Sequence, residues 1–140
     1  MSGIVVGTDG SEGARAAVLE AARLAKGMQL RMVVVSAYGP SAMATMSPEA
    51  AAFTTDDGRD AAEQALRLAT EDLQASGIEH ETRCVCGGAA ESLVDVAKLE
   101  QADTIVVGSR GMRGARRLLG SVPNAVSHRA PCSVFIVRTD

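Results

Sequence analysis

Short apolar runs alternate along the chain with segments of helical periodicity. Ile4–Val6 leads into Ser11–Lys26, where Ala14, Ala17, Val18, Ala21, Leu24 and Ala25 recur at helical spacing while Arg15, Glu20 and Arg23 take the opposite face. Gly27 stands where a glycine ending the helix is expected. Leu30–Val35 is the second strand. Gly58–Ser76 reads as a second amphipathic helix, with Ala62, Ala65, Leu66, Ala69 and Leu73 on one face and Gly77 as its stop. A third strand, Glu81–Cys86, precedes a helix at Ala90–Leu99 and the strand Thr104–Val107. A glycine- and arginine-rich loop, a short helix from Ser121 and the strand Val134–Val137 complete the pattern. Strands joined by helical crossovers imply a parallel sheet covered by helices on both faces, an α/β fold.

Strand character suggests position. The first, second and fourth runs are continuously apolar, as strands buried on both faces are. The third alternates Thr82, Cys84 and Cys86 against Arg83 and Val85, which fits an edge strand with one wet face. The fifth is apolar although chain ends often lie at sheet edges. Either it is interior, or it is an edge covered by a second subunit, a homodimer joined through Val134–Val137. Tyr38–Asp57 fits neither pattern; its Met43, Met46 and Phe53 either fold over a ligand or form a short turn packed on a neighbouring helix.

Composition narrows the class. The 140 residues suit one domain spanning 1–140, and 46% hydrophobic content excludes a largely disordered chain. A formal charge of −3 provides no global field to attract nucleic acid or anionic lipid. No apolar run reaches membrane-spanning length, and a strand pattern from Gly3 onward leaves no room for a signal peptide. Three cysteines without a Cys-x-x-Cys pair disfavour a disulfide scaffold and a structural zinc site. A reduced, cytoplasmic protein is expected.

Parallel α/β sheets bind ligands beyond the carboxyl ends of their strands, where strand order reverses. The tip after the fourth strand runs from Gly108 to Ser121. Gly108, Gly111 and Gly114 let a ligand approach the backbone, four arginines lie between Arg110 and Arg117, and Gly120-Ser121 opens a helix whose first N–H groups favour an anion. This describes a polyphosphate site; a solvated, flexible loop is the competing reading. The first tip repeats glycine at Gly7, Gly10 and Gly13 around Asp9. A carboxylate facing phosphate would be repelled, so Asp9 either bridges through a divalent cation, accepts from a ribose or base, or simply closes an Asp-Gly turn with Ser11 as helix cap.

Several machines are missing. The sequence has no G-x-x-x-x-G-K-[ST] loop, no G-x-G-x-x-G after the first strand and no G-x-S-x-G elbow. His80 begins the edge strand and His128 lies in the last helix, so neither is placed as a catalytic base. Cys84 and Cys86 share a strand face without further metal ligands, and with Cys132 they read as small core residues.

Val106-Val107-Gly108-Ser109-Arg110-Gly111, a spacer, and Gly120-Ser121-Val122 together resemble the nucleotide-binding signature of the universal stress protein family. The opening Ile4–Ser11 and the closing Ala130–Val137 look like that family's first and last strands. The resemblance covers essentially the whole chain. It implies a Rossmann-like, adenine nucleotide alpha hydrolase-like fold: five parallel strands in the order 3-2-1-4-5, helices on both faces, and a homodimer through the fifth strand. By position, it sets Thr8 and Asp9, after Gly7, against adenosine and ribose. It brings the backbone of Ala37 to the adenine edge and lines the ribose with Val107 and Gly108. Gly111, Gly120, Ser121 and Val122 would hold phosphates, with Ser109 and Arg110 nearby. The implied ligand is ATP with Mg2+, Asp9 reaching the metal indirectly; AMP and cyclic AMP are alternatives. The family spacer has nine residues, whereas Met112–Leu119 has eight, so the loop must be tighter, with Gly114 supplying freedom.

A nucleotide-binding stress-response regulator is therefore the leading expectation, with slow ATP hydrolysis at most, since no base is placed to activate water. A scaffold dimer with a vestigial site is the alternative from another class. An ATP pyrophosphatase would need a Ser-Gly-Gly-x-Asp-Ser loop where this chain has Thr8-Asp9-Gly10-Ser11. A receiver domain would need a phosphoacceptor Asp where it has Cys86-Gly87.

Overall fold

A computed structural model of the chain describes residues 3–39, 55–109 and 119–139, with residues 55–57 described by their backbone alone. Five strands form one parallel sheet: β1 (Gly3–Gly7), β2 (Arg31–Tyr38), β3 (His80–Cys86), β4 (Thr104–Gly108) and β5 (Ser133–Val137). Their order is β3-β2-β1-β4-β5, as the family resemblance implies. Among the described residues the helices are α1 (Glu12–Met28), α2 (Thr55–Ser76), α3 (Ala89–Glu100) and α4 (Ser121–Arg129).

Runs of β-branched residues make the three central strands, because such side chains pack well on both sides of a pleated surface. Successive residues point to opposite faces and build two cores. Ile4, Val6, Met32, Val34 and Val106 meet the alanine-rich face of α1 and Leu66, Ala69 and Leu73 of α2. Val5, Val33, Val35, Ile105 and Val107 meet Leu93 and Val96 of α3 and Val126 of α4. In register, Val5 pairs with Val33 on one side and Ile105 on the other, so a buried apolar row crosses the three central strands.

Four local expectations change. Helix α1 does not stop at Gly27; it runs to Met28, and Gln29 takes the left-handed conformation at φ 58° while its N–H caps Ala25 O. Gly27 therefore sits in the last helical turn, where a Cβ would meet nothing within 4 Å. Gly27→Ala should stabilise the protein by about 0.5–1 kcal/mol, read as a raised denaturant midpoint. A loss of stability would contradict this placement.

Helix α2 begins at Thr55, three residues before the expected start, and takes in the end of the Tyr38–Asp57 stretch. Met43, Met46 and Phe53 lie outside the described residues. Strand β3 is an edge, as its alternation suggested, but it has no uniformly wet face. Cys84 packs on the α1–α2 side and Val85 on the α3–α4 side, because helices cover both faces of the sheet even there. Cys86 is exposed rather than a core residue, since it ends β3 beyond that cover. Cys84 and Cys132 are half-buried, and burial pushes both thiols above their ordinary range. They stay protonated at neutral pH.

Charged residues gather at the other end of the sheet. Arg31, which opens β2, lies 3.0 Å from Glu81 and 3.5 Å from Glu100, and Arg83 bridges the same two carboxylates at 2.7 and 3.2 Å. The Arg83 guanidinium, assisted by Arg31, holds the Glu81 carboxyl below its usual range. Among the described residues strand β5 pairs with β4 alone and is an edge, so the interior reading of its apolar run does not hold. Among the described residues no helix is long and apolar enough to cross a membrane.

Candidate functional site

The carboxyl ends of β1 and β4 are adjacent, and the connections leaving them diverge to helices on opposite faces. A cavity of about 360 Å³ opens between them. This is where an open parallel sheet changes winding direction, and such crevices hold ligands.

Each wall has a local cause. Past Gly7, the Thr8 N–H donates to Val35 O at 2.9 Å, so the first tip stays tied to the sheet before it turns. Gly10 supplies the turn with φ +82°, and its N–H donates to Thr8 Oγ1 at 3.2 Å. Asp9 Oδ1 accepts the Ser11 N–H at 3.0 Å, and Ser11 Oγ accepts the Ala14 N–H at 3.2 Å as the cap of α1. The Asp-Gly turn is thus present, and it fixes Asp9 at the cavity wall. On the far side, Gly7 has no side chain to keep α3 away: a Cβ there would stand 3.0 Å from Leu93 Cδ1.

The helix starts differ in a way that matters for anions. Ser11 caps α1, but α3 begins at Gly88 and α4 at Gly120, and neither has a side-chain cap hydrogen bond. The first turns of both contribute to the cavity, through Ala89 and through Gly120, Ser121 and Val122. First-turn N–H groups have no intrahelical partner and lie at the positive end of the helix dipole. Pro123 lines the cavity one residue later and withdraws one donor, so the backbone amides at Ser121 and Val122 are those left in that turn. Among the described residues Asp9 is the one charged group lining the cavity; the other described walls are backbone, hydroxyl and aliphatic groups.

Of the residues singled out in the sequence, Gly7, Thr8, Asp9, Ala37, Val107 and Gly108 line the cavity, as do the three that open α4. Ser109 does not; it is buried beneath the wall, 1% exposed. Arg110, Gly111 and Gly114 lie outside the described residues. Sequence reasoning did not pick out Leu93, Ala89, Val35 or Thr139 as cavity residues. Leu93 is recognisable only as part of an apolar helix face. Thr139 carries no local signal at all, because it lies two residues beyond β5 and reaches the cavity beside the end of β4.

His80 and His128 are away from the cavity: His80 Nδ1 is 2.8 Å from Ile78 O, and His128 is in the last turn of α4. Among the described residues no three His, Cys, Asp or Glu side chains gather to hold a metal ion. A Mg2+ here would rest on Asp9 and on ligand phosphates, which is how this ion is commonly held in nucleotide sites. Asp9 is a carboxylate held at the cavity wall by the Ser11 N–H, and a carboxylate oxygen is the kind of ligand this ion takes.

Comparison with known proteins agrees with this architecture. The family model described as the universal stress protein family matches residues 1–138. A universal stress protein of Mycobacterium tuberculosis is 38% identical over 143 aligned residues, covering 97% of this chain and 95% of that protein. A crystal structure of a universal stress protein in complex with cAMP superposes with a TM-score of 0.75 at 32% identity, covering 100% of this chain and 98% of the other. The universal stress protein of Archaeoglobus fulgidus in complex with dAMP superposes with a TM-score of 0.76 at 25% identity, covering 98% of each chain. With its sheet order, its crevice and these likenesses together, the chain belongs to the universal stress protein family.

Proposed function

We propose that this chain is an adenine-nucleotide-binding regulator that takes ATP with Mg2+ and signals through ligand-dependent conformation or partner choice. The observation that carries the reading is the cavity itself: two helix starts without side-chain caps face one crevice at the ends of β1 and β4. Its volume of about 360 Å³ falls within the range of small-molecule sites. In this reading the Ala37 backbone meets the adenine edge, and Val107 and Gly108 flank the ribose. Asp9 accepts a ribose hydroxyl or shares a Mg2+ with phosphate oxygens. The amides of Ser121 and Val122 hold phosphate, and Arg110, Gly111 and Gly114 extend that hold. Among the described residues lining the cavity there is no histidine, and the carboxylate present, Asp9, accepts the Ser11 N–H, so the reading is of ligand binding rather than turnover. The protein acts in the cytoplasm as one domain over 1–140.

Cyclic AMP is the second ligand, favoured by the cAMP-bound structure that this chain resembles at 32% identity and by the eight-residue Met112–Leu119 spacer. Calorimetric titration with ATP, ADP, AMP and cyclic AMP ranks them. Absence of binding by all four at millimolar concentration removes the nucleotide reading and leaves the scaffold dimer.

The fifth strand supplies the dimer seam. Phe135 and Ile136 are 38% and 36% exposed on an edge whose backbone groups are unpaired on the outer side, a combination that natural proteins cover. A second copy covers it by an isologous contact. An Ile136→Lys variant should sediment as a monomer where the parent sediments as a dimer; identical sedimentation would contradict this seam.

A further inference from the structure

Ser109, the first residue after β4, spends its polar groups on the segment beyond β5. Its N–H donates to Val137 O at 2.8 Å, and its Oγ accepts the Thr139 N–H at 3.0 Å. Ser109 Oγ also lies 3.4 Å from Thr139 Oγ1, a long contact in which either hydroxyl can donate. These bonds fold Thr139 across the end of β4. There it packs closely on two glycines: a Cβ on Gly108 would be 3.0 Å from Thr139 Cγ2, and one on Gly13 would be 3.3 Å from Thr139 Cβ, both tighter than ordinary contact. The same residue is a wall of the cavity.

The proton arrangement follows from burial. Ser109 is 1% exposed, and a buried hydroxyl directs its hydrogen to an acceptor. Among the described residues Thr139 Oγ1 is the acceptor in reach of it. With Ser109 donating, the Thr139 hydroxyl hydrogen is turned away from Ser109 and has the cavity to point into. It stands between the end of β4 and the first turn of α1, on the crevice shared with the first turn of α4, where negative charge is favoured.

We propose that Thr139 is a specificity-determining residue of the cavity, its hydroxyl donating to a phosphate oxygen of the bound nucleotide, with Ser109 as the positioning residue that fixes its orientation. The proposal rests on the nucleotide reading above and deepens it. The contact serves a phosphate-bearing ligand and gives nothing to the bare nucleoside. The test compares AMP with adenosine by calorimetry on the parent, Thr139→Val, Thr139→Ser and Ser109→Ala. Thr139→Val keeps the shape and loses the donor, so it should weaken AMP about tenfold or more while leaving adenosine within about twofold. Thr139→Ser should restore AMP binding to within about threefold of the parent, and Ser109→Ala should weaken AMP but not adenosine. Ligand-free melting curves confirm that each variant is folded. The proposal is overturned if Thr139→Val binds AMP as the parent does, or if AMP and adenosine weaken equally. A parent that binds neither AMP nor adenosine overturns this proposal, and takes the nucleotide reading with it if ATP, ADP and cyclic AMP also fail to bind; a parent that binds AMP with an indifferent Thr139→Val overturns this proposal alone.

Discussion

Replacing Leu73 by alanine should cost about 2–5 kcal/mol of folding free energy, a large share of the roughly 5–15 kcal/mol that holds a domain of this size together. Leu73 is fully buried, in the face of α2 that packs on Met32 and Val34 of β2 within the core shared with α1. Removing its isobutyl group forfeits the transfer free energy and leaves a void that a sheet of β-branched residues is too stiff to fill. Urea denaturation reads the effect as a lowered midpoint with an unchanged slope. Leu99 provides the contrast: it is 81% exposed at the end of α3, and Leu99→Ala should change stability by no more than about 0.5 kcal/mol. Equal losses at the two sites would contradict the division between core and surface drawn here.

The largest functional effect is expected at Ala37. It lies near the end of β2, pairs in register with Val85 of β3 and forms part of the cavity wall. Its small side chain leaves room where the adenine would meet the strand backbone. An indole at this position fills that room from the rim of the sheet without entering either core, so Ala37→Trp should reduce nucleotide affinity about a hundredfold, close to 2.7 kcal/mol, while the unfolding midpoint moves little. Calorimetry and denaturation on the same sample check both halves. Parent-like affinity in the variant would place the base elsewhere.

The architecture was legible because its signals are local and mutually consistent. Ile4–Val6, Met32–Val35 and Ile105–Val107 are apolar without alternation, and they lie in the strands buried on both faces. The helical period in Ala17, Val18, Ala21 and Ala25 names the residues that reach the sheet. The departures have physical reasons too. Gly27 looked like a helix stop, but a glutamine can take the left-handed conformation when its amide still finds a carbonyl, as Gln29 does with Ala25. The alternation in β3 suggested one wet face, yet which faces are wet is set by helices remote in sequence. At the site, Gly7, Gly108 and the Gly120-Ser121 helix start, each singled out in the sequence, line the cavity. Thr139 does not announce itself, because its role depends on contacts with Gly13 and Gly108, which are remote from it in sequence. Ser109 had the right neighbourhood but a different partner, since burial turned its hydroxyl toward Thr139 rather than outward.

The central claim is that the first-turn amides of α3 and α4, which open on the cavity at the ends of β1 and β4, make one anion-accepting crevice. Amide-resolved NMR during titration with ATP tests it most directly. The account predicts that Gly7, Thr8, Gly108 and Ser121 shift together along a single saturating curve, while Gly77, beyond α2 at the other end of the sheet, stays in place. Shifts that gather around Gly77, or none at any ATP concentration, would contradict it.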